Sequence, residues 1–443
     1  MLNLDYDRLS RVLIEAGAVT PAIVRWGKVK ACSAGLLRVS GFHYPIGSGA
    51  TVLSEDGHEV GAEVVGFDGS MATLAPFDEH AAIGVDALVK PVTSMAQVEV
   101  GSELVGRIID PLGRPLDNMG PIAPDSTWPL IGRKANILSR GRIVQRLDVG
   151  VQAINALLPL GCGQRVALVA GSGVGKTVLM QQIASGAKAD IIVAGLIGER
   201  AREVSDFVAA SQNSGIADKM VTVAVPADHS PILRIKAAQR AAAIAEYFRS
   251  QGKRVLLMID SLTRIAHAQR EIGLSAGEPP TMKGYPPSAI ALIPQLLERA
   301  GRDVESGGSI TAFYTVLADG DDFDDPIVDA ARAIADGHLI LSRDLAEQGI
   351  FPAIDIGKSI SRVAPDIIGE DHAAALRNFR SLWSRYTENH DLITMGAYRA
   401  GGDDLLDQAI VRRSDQLSFL KQATDTKIDI EHSVQNLVRG FGA

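Results

Sequence analysis

Residues 165–187, RVALVAGSGVGKTVLMQQIASGA, run from an unbroken apolar stretch through a glycine loop into a helix-like segment. Within it, AGSGVGKT at 170–177 carries glycines at 171, 173 and 175. Gly171, Gly173 and Gly175 let backbone N–H groups turn inward around phosphate oxygens, at a helix N-terminus whose dipole favours an anion. Ala170, Ser172 and Val174 complete the loop, Lys176 is placed to reach the β- and γ-phosphates, and the Thr177 hydroxyl to ligate Mg²⁺. The first position of the usual pattern is Ala170 rather than Gly. That departure is mild, because the inner glycines and the Lys-Thr pair carry the contacts. A chance match in a loop is the competing reading, and the placement between a buried strand and a helix weighs against it. The expected ligand is a nucleoside triphosphate.

Outward from this loop, apolar runs alternate with helical segments from Arg165 to Ser342: RVALVA, DIIVAGLI, VTVAV, RVLLMID, SITAFYTV and HLILS. Their apolarity is continuous rather than alternating, which fits strands buried on both faces of a largely parallel sheet in an α/β domain. RVLLMIDSLTR ends its strand on Asp260, roughly eighty residues past the loop. A carboxylate there holds Mg²⁺ in the usual second half of such a phosphate site. Many buried strands end in Asp, so the signal gains its weight from the preceding loop. GERARE, at 198–203, places Glu199 at the carboxyl end of what reads as the neighbouring strand, where a general base can orient or deprotonate an attacking water. A solvated charge cluster at a loop tip is an equal reading of those six residues.

The flanks differ in composition. From about Val24 to Val92, short Val, Leu and Ala runs are broken by many glycines. SEDGHEVGAEVVGF carries Asp56-Gly57 as a hairpin signal between alternating apolar residues, which predicts a small β-barrel or sandwich. GRIIDPLGRPLDNMGPIAPDSTWPL reads as an irregular connector. Beyond about Ile367 the strand signals fade, and HAAALRNFRSLWSRYTENHDLI and LLDQAIVRRSDQLSFLKQ each predict an amphipathic helix. Residues 3–16 suggest a further short amphipathic helix, suited equally to packing on its own domain or to docking a partner. The expected organisation is a docking segment at 1–22, a barrel at 23–93, a nucleotide domain with its connector at 94–366 and a helical domain at 367–443.

The chain has 443 residues, more than one ordinary core sustains, and its 44 Lys and Arg against 52 Asp and Glu give a net charge of −8. That balance does not recruit nucleic acid or an anionic membrane. Only Cys32 and Cys162 are present, with no metal-ligand spacing. The acidic start lacks the form of a secretory signal, and no run reaches the roughly 20 apolar residues of a membrane span. A cytoplasmic location is expected.

The phosphate loop, GERARE, DSLTRIAHAQREIGLSAGEPPTMKGYPPS, GSITAFYTVLADGDDFDDPIVDAARAIADGHLILSR and GIFPAIDIGKSISRV together resemble the rotary-type hexameric ATPases. Within that group, AQREIGLSAGEPPTMKGYPPS and TENHDLITMGAYRAGGDDLLDQAI resemble the flagellar and injectisome export ATPases, and the acidic DELS-type loop of the synthase β subunits is absent. The resemblance implies a central RecA-like P-loop domain between an N-terminal β-barrel and a C-terminal helical domain. It implies ATP as substrate with Mg²⁺, Glu199 as base, and Arg200 and Glu203 supporting the γ-phosphate and the metal's water. It further implies Asp260 completing the metal shell, Phe351 stacking on adenine, and Arg362 serving as an arginine finger in the neighbouring subunit's site. From the residues alone, a core role for Phe351 beside Pro352 is an equal reading.

The same resemblance implies a homo-hexamer at the inner face of the cell membrane. Its partners would be a stator-like regulator at the N-terminal segment, a stalk-like protein in the ring centre, and the export gate, chaperones and cargo. An injectisome ATPase, an ATP synthase β subunit and a non-catalytic nucleotide-binding ring subunit are the alternatives. An RNA translocase is disfavoured by the acidic balance and by an N-terminal domain without an aromatic-basic motif.

Overall fold

Alternation of apolar and polar residues builds the first unit. A computed structural model describes residues 25–92, 94–133, 139–318, 320 and 322–442; the amphipathic helix expected at 3–16 lies outside these. The chain divides into two compact units, residues 1–95 and 96–443. In the first, strands β1 (Gly27–Ser33), β2 (Leu36–Ser40), β3 (Gly49–Leu53), β4 (Glu59–Asp68), β5 (Met71–Pro76) and β6 (Leu88–Val92) close into a barrel of order β1-β2-β5-β4-β3-β6. Along β4, Val60, Ala62 and Val64 point inward to meet Val29, Val39, Phe42 and Leu74. Closure leaves the six strands without a free edge. Asp56-Gly57 makes the expected turn between β3 and β4: Gly57 has φ +84° and its N–H donates to the Ser54 carbonyl.

The second unit is built on a nine-stranded sheet. Its ordered path is β14-β13-β8-β12-β11-β9-β10-β7, with the two residues Gly301–Arg302 pairing on β12. In chain order these are β7 (Ile108–Ile109), β8 (Arg165–Ala170), β9 (Ile191–Glu199), β10 (Met220–Pro226), β11 (Arg254–Asp260), β12 (Ser309–Leu317), β13 (Gly337–Ile340) and β14 (Ile360–Ser361). The six apolar runs of the sequence are the six strands β8 to β13, all mutually parallel and almost wholly buried. Helices α1 (Lys176–Gly186), α2 (Ala201–Asn213), α3 (Pro231–Ser250), α4 (Leu262–Ser275), α5 (Pro287–Leu297), α6 (Pro326–Ile334) and α7 (Arg343–Glu347) supply the intervening segments. The face of α3 buried against the sheet is rich in alanine, which allows close approach of helix to strands.

Three expectations need correction. The strand ending in Glu199 is not the neighbour of the phosphate-loop strand: β12 and β11 stand between β8 and β9. Part of the Pro/Gly-rich connector is regular, since Ile108–Ile109 pairs in parallel with Thr222–Val223. Each of the two expected C-terminal helices is two helices, the first divided at Asn389 (φ −109°, ψ 10°) and the second at Arg412 (φ −87°, ψ −1°).

The C-terminal helices α8 (Glu370–Glu388), α9 (His390–Thr394), α10 (Asp404–Val411), α11 (Arg413–Leu420) and α12 (Ile430–Phe441) share a core with the nucleotide domain. An aromatic cluster holds them together. Phe379 lies edge-on to Phe441 at 4.7 Å between ring centroids and 5.7 Å from Phe419, separations at which ring quadrupoles attract.

Candidate nucleotide site

The site lies where β8, β9 and β11 end. Past Ala170 the chain forms a loop in which Gly173 and Gly175 have φ +78° and +98°, values that side-chain-bearing residues rarely adopt. Gly175 caps α1 without a side-chain hydrogen bond, so the first N–H groups of that helix remain available to an anion. Val174 is buried and pins the loop to the core, while Ser172 and Gly173 are exposed.

Lys176 and Thr177 begin α1, and the Lys176 ammonium is drawn between two carboxylates. Its Nζ lies 2.6 Å from Asp260 Oδ1 and 3.3 Å from Glu199 Oε1. Burial pushes its pKa down, but the two carboxylates outweigh burial, and the pKa lies above the ordinary lysine value. Burial and the nearby Glu199 raise the Asp260 pKa, against the pull of Lys176 and Thr315. Glu199 reaches Lys176 because β9 kinks before its last residue. Gly198 has φ +69°, and the β9–β10 register shifts between Ile197 and Glu199.

One ammonium is therefore shared by two carboxyl groups. The Thr177 hydroxyl, the two carboxylates and phosphate oxygens are hard oxygen donors of the type Mg²⁺ selects, usually through one or two protein groups plus substrate phosphates. Among the described residues there is no group of three or more His, Cys, Asp or Glu able to hold a metal alone. That donor set fits a metal delivered with a nucleotide.

Beside α1 is a cavity of about 340 Å³, lined mainly by apolar groups that include Val178, Leu341, Phe351 and Pro352. Phe351 is 43% exposed and its ring approaches Gly175, so it is a surface aromatic and not a core residue. The Gln422 N–H donates to the Phe351 carbonyl, and the Gln182 side chain donates to the Ala423 carbonyl, joining the cavity wall to the C-terminal helices.

The remaining expected residues stand apart from Lys176. Arg200 and Glu203 face each other at 3.9 Å at the start of α2, and Arg200 is almost fully exposed. Arg362 lies at the opposite end of the strands. Its N–H donates to the Asp336 carbonyl, and the preceding Ser361 pairs with Gly337, itself paired with Val166 near the start of β8. At about 3.3 Å per residue, that puts its backbone on the order of 15 Å along β8 from the phosphate loop of the same chain.

Three residues near the site escaped the sequence reading. Arg264, in the first turn of α4, packs where a Gly198 Cβ would be, and its buried Nε has no hydrogen-bond partner among the described residues. A cation in a first helical turn opposes the helix dipole, a signal that was available in DSLTR. Arg343 Nη2 donates to the Ser172 carbonyl at 3.4 Å, and Thr315 donates to Asp260; neither stands out in sequence.

A phosphate loop, a buried ammonium and strand-end carboxylates on a parallel sheet define a P-loop nucleotide hydrolase domain. Residues 150–361 match the ATP synthase alpha/beta family, nucleotide-binding domain, and residues 368–439 the T3SS EscN ATPase C-terminal domain. The chain is 48% identical to the flagellum-specific ATP synthase of Pseudomonas aeruginosa, over 90% of this chain and 89% of that one. It is 44% identical to the type 3 secretion system ATPase of Xanthomonas euvesicatoria, over 93% of each. Its fold matches the assembled ATPase EscN of enteropathogenic E. coli with a TM-score of 0.88 and 39% identity, covering 94% of this chain and 100% of that one. It also matches EscN in complex with its central stalk EscO, with a TM-score of 0.84, 38% identity and the same coverages. The chain belongs to the family of flagellar and type III secretion ATPases and is an ATPase with that family's barrel, nucleotide domain and C-terminal helices.

Proposed function

We propose that this chain is the Mg-ATP-hydrolysing motor subunit of flagellar type III protein export and works as a homo-hexamer. Lys176, the loop N–H groups and Thr177 bind the phosphates and the metal, with Asp260 on the metal side and the adenine against Phe351. The metal supplies charge neutralisation on the phosphates when bound. Glu199 accepts a proton from the attacking water, Arg200 and Glu203 support the γ-phosphate side, and Arg264 adds a cation beside Glu199. The flagellar assignment rests on the higher identity to a flagellar relative than to the injectisome ones.

The observation that carries the hexameric reading is the separation of Arg362 from the loop of its own chain. A guanidinium at the far end of the strands serves a phosphate only across a subunit boundary, where it stabilises transition-state charge. Turnover then changes the grip between subunits and moves the C-terminal helices. In this reading the motion releases chaperones, unfolds cargo and feeds it to the export gate, with a stalk-like protein in the ring centre. A stator-like regulator docks on the N-terminal segment at the inner face of the membrane. No helix among the described residues is long and apolar enough to cross a membrane.

Complementation tests the reading. Glu199→Gln and Arg362→Ala are each expected to be inactive alone, whereas a mixture regains part of the parental ATPase activity. Mixed rings contain interfaces in which one subunit supplies Glu199 and its neighbour Arg362. Full activity of assembled Arg362→Ala alone, or no recovery in the mixture, would overturn it.

A further inference from the structure

Thr315 is a polar side chain with no solvent exposure in β12, the strand between the phosphate-loop strand and the strand of Asp260. Its Oγ1 donates to Asp260 Oδ1 at 2.6 Å, the same oxygen that accepts from Lys176 at 2.6 Å. The end of this strand is anchored: the Leu317 N–H donates to Thr263 Oγ1 at 2.9 Å, and Thr263 lies two residues past the Ser261 cap of α4. Thr315 is thus fixed to the backbone that carries Asp260, with a short side chain and one rotatable bond to its hydroxyl.

Lys176 is held differently. It lies on a long side chain, and an ammonium has three donors, two of which are engaged by Glu199 and Asp260. Phosphates arriving in the loop take the third donor and then compete for the other two, and each of those two turned to phosphate is taken from a carboxylate oxygen. Without a further donor, Asp260 would then be a buried carboxylate free to rotate about its side-chain bonds, and Thr315 is that donor.

We propose that Thr315 is a positioning residue for the metal side of the site. It is the donor that stays on Asp260 Oδ1 when Lys176 turns to phosphate, so it fixes the carboxylate for the magnesium-bound nucleotide over the free nucleotide. The inference rests on the reading of Asp260 as the metal-side carboxylate.

The test measures the dissociation constant of a fluorescent non-hydrolysable ATP analogue on the full chain, once in EDTA and once in magnesium. The quantity read is the ratio of the two. Thr315→Val and the smaller Thr315→Ala are expected to lower the ratio about tenfold, the scale of one hydrogen bond to a charged group. Affinity in EDTA stays near parental, and Thr315→Ser restores the ratio. An unchanged ratio in Thr315→Ala, or parallel weakening in EDTA and magnesium as lost packing produces, overturns the proposal. Lys176→Ala separates the two levels. If it binds the analogue like the parent, the P-loop reading itself fails; if it loses binding while the Thr315→Ala ratio is unchanged, only the role of Thr315 falls.

Discussion

Lys176, Glu199 and Asp260 come from three elements, and each alone would be costly to bury. A charge taken from water costs several kcal/mol unless it is paired, and here one cation is shared by two anions. One ammonium thus serves two carboxyl groups, an imbalance that the charge of a metal ion carried in with the nucleotide would offset locally. At Phe351 the physics is different, because a half-exposed ring beside an apolar cavity offers a π-face and little else. Base stacking on an aromatic ring contributes roughly 1–3 kcal/mol, so Phe351→Ala is expected to raise the KM for ATP about tenfold with kcat little changed. Phe351→Tyr should stay near parental, and an unchanged KM in Phe351→Ala in a steady-state assay would remove the ring from the site. From sequence, Lys176 and Asp260 were recognisable because a glycine loop and a strand-end carboxylate are local patterns. Thr315 was not, since threonine is common in strands and only the fold shows what its hydroxyl faces.

Among the elements, the long apolar strands were legible and the two-residue ones were not. Ile108–Ile109 has too few residues for any periodicity, and its pairing depends on a buried ion pair ten residues apart in the chain. Arg107 Nε donates to Asp117 Oδ2 at 2.8 Å, and the Ile108 N–H donates to the same oxygen at 2.9 Å. The Arg107 guanidinium is the main cause holding the Asp117 carboxyl well below the usual carboxylate range, against the opposing effect of burial. A folded-state pKa below the unfolded one gives stability that is fully present above the unfolded value, about 3.9, and lost progressively as pH falls from there through the lower folded-state value. Asp117→Asn should therefore cost about 2 kcal/mol and lower the melting temperature at neutral pH. The gap between the melting curves of the variant and the parent should begin to narrow below about pH 4 and keep narrowing as the pH falls further. A gap that persists undiminished in acid would show that Asp117 acts by packing. The same limit of local pattern explains the helix broken at Arg412, where amphipathic spacing continues across a break that contacts with Gly440 and Asp415 accompany.

At the scale of the whole molecule, if Arg362 serves the neighbouring subunit as proposed, one chain by itself is an incomplete enzyme. Turnover per subunit is expected to rise with protein concentration as rings form, and to follow the assembled fraction seen by light scattering. A specific activity that stays constant as scattering falls to the monomer value would contradict this. The C-terminal helices share a core with the nucleotide domain and touch the Phe351 wall through Gln422, so the route from the cavity beside Phe351 to the helices is short.

The division between sequence and structure follows from range. By itself the chain determined its fold class, its phosphate loop and its buried parallel strands. Glycine conformational freedom, strand-length apolar runs and helix spacing are properties of neighbours in sequence. Only the tertiary structure decided the strand order, which separates Glu199 from the loop by two intervening strands, brings Thr315 onto Asp260 and sends Arg362 to the far end of the sheet. Those are pairings between residues tens to hundreds of positions apart, and their energies depend on which strands become neighbours, which no local pattern records.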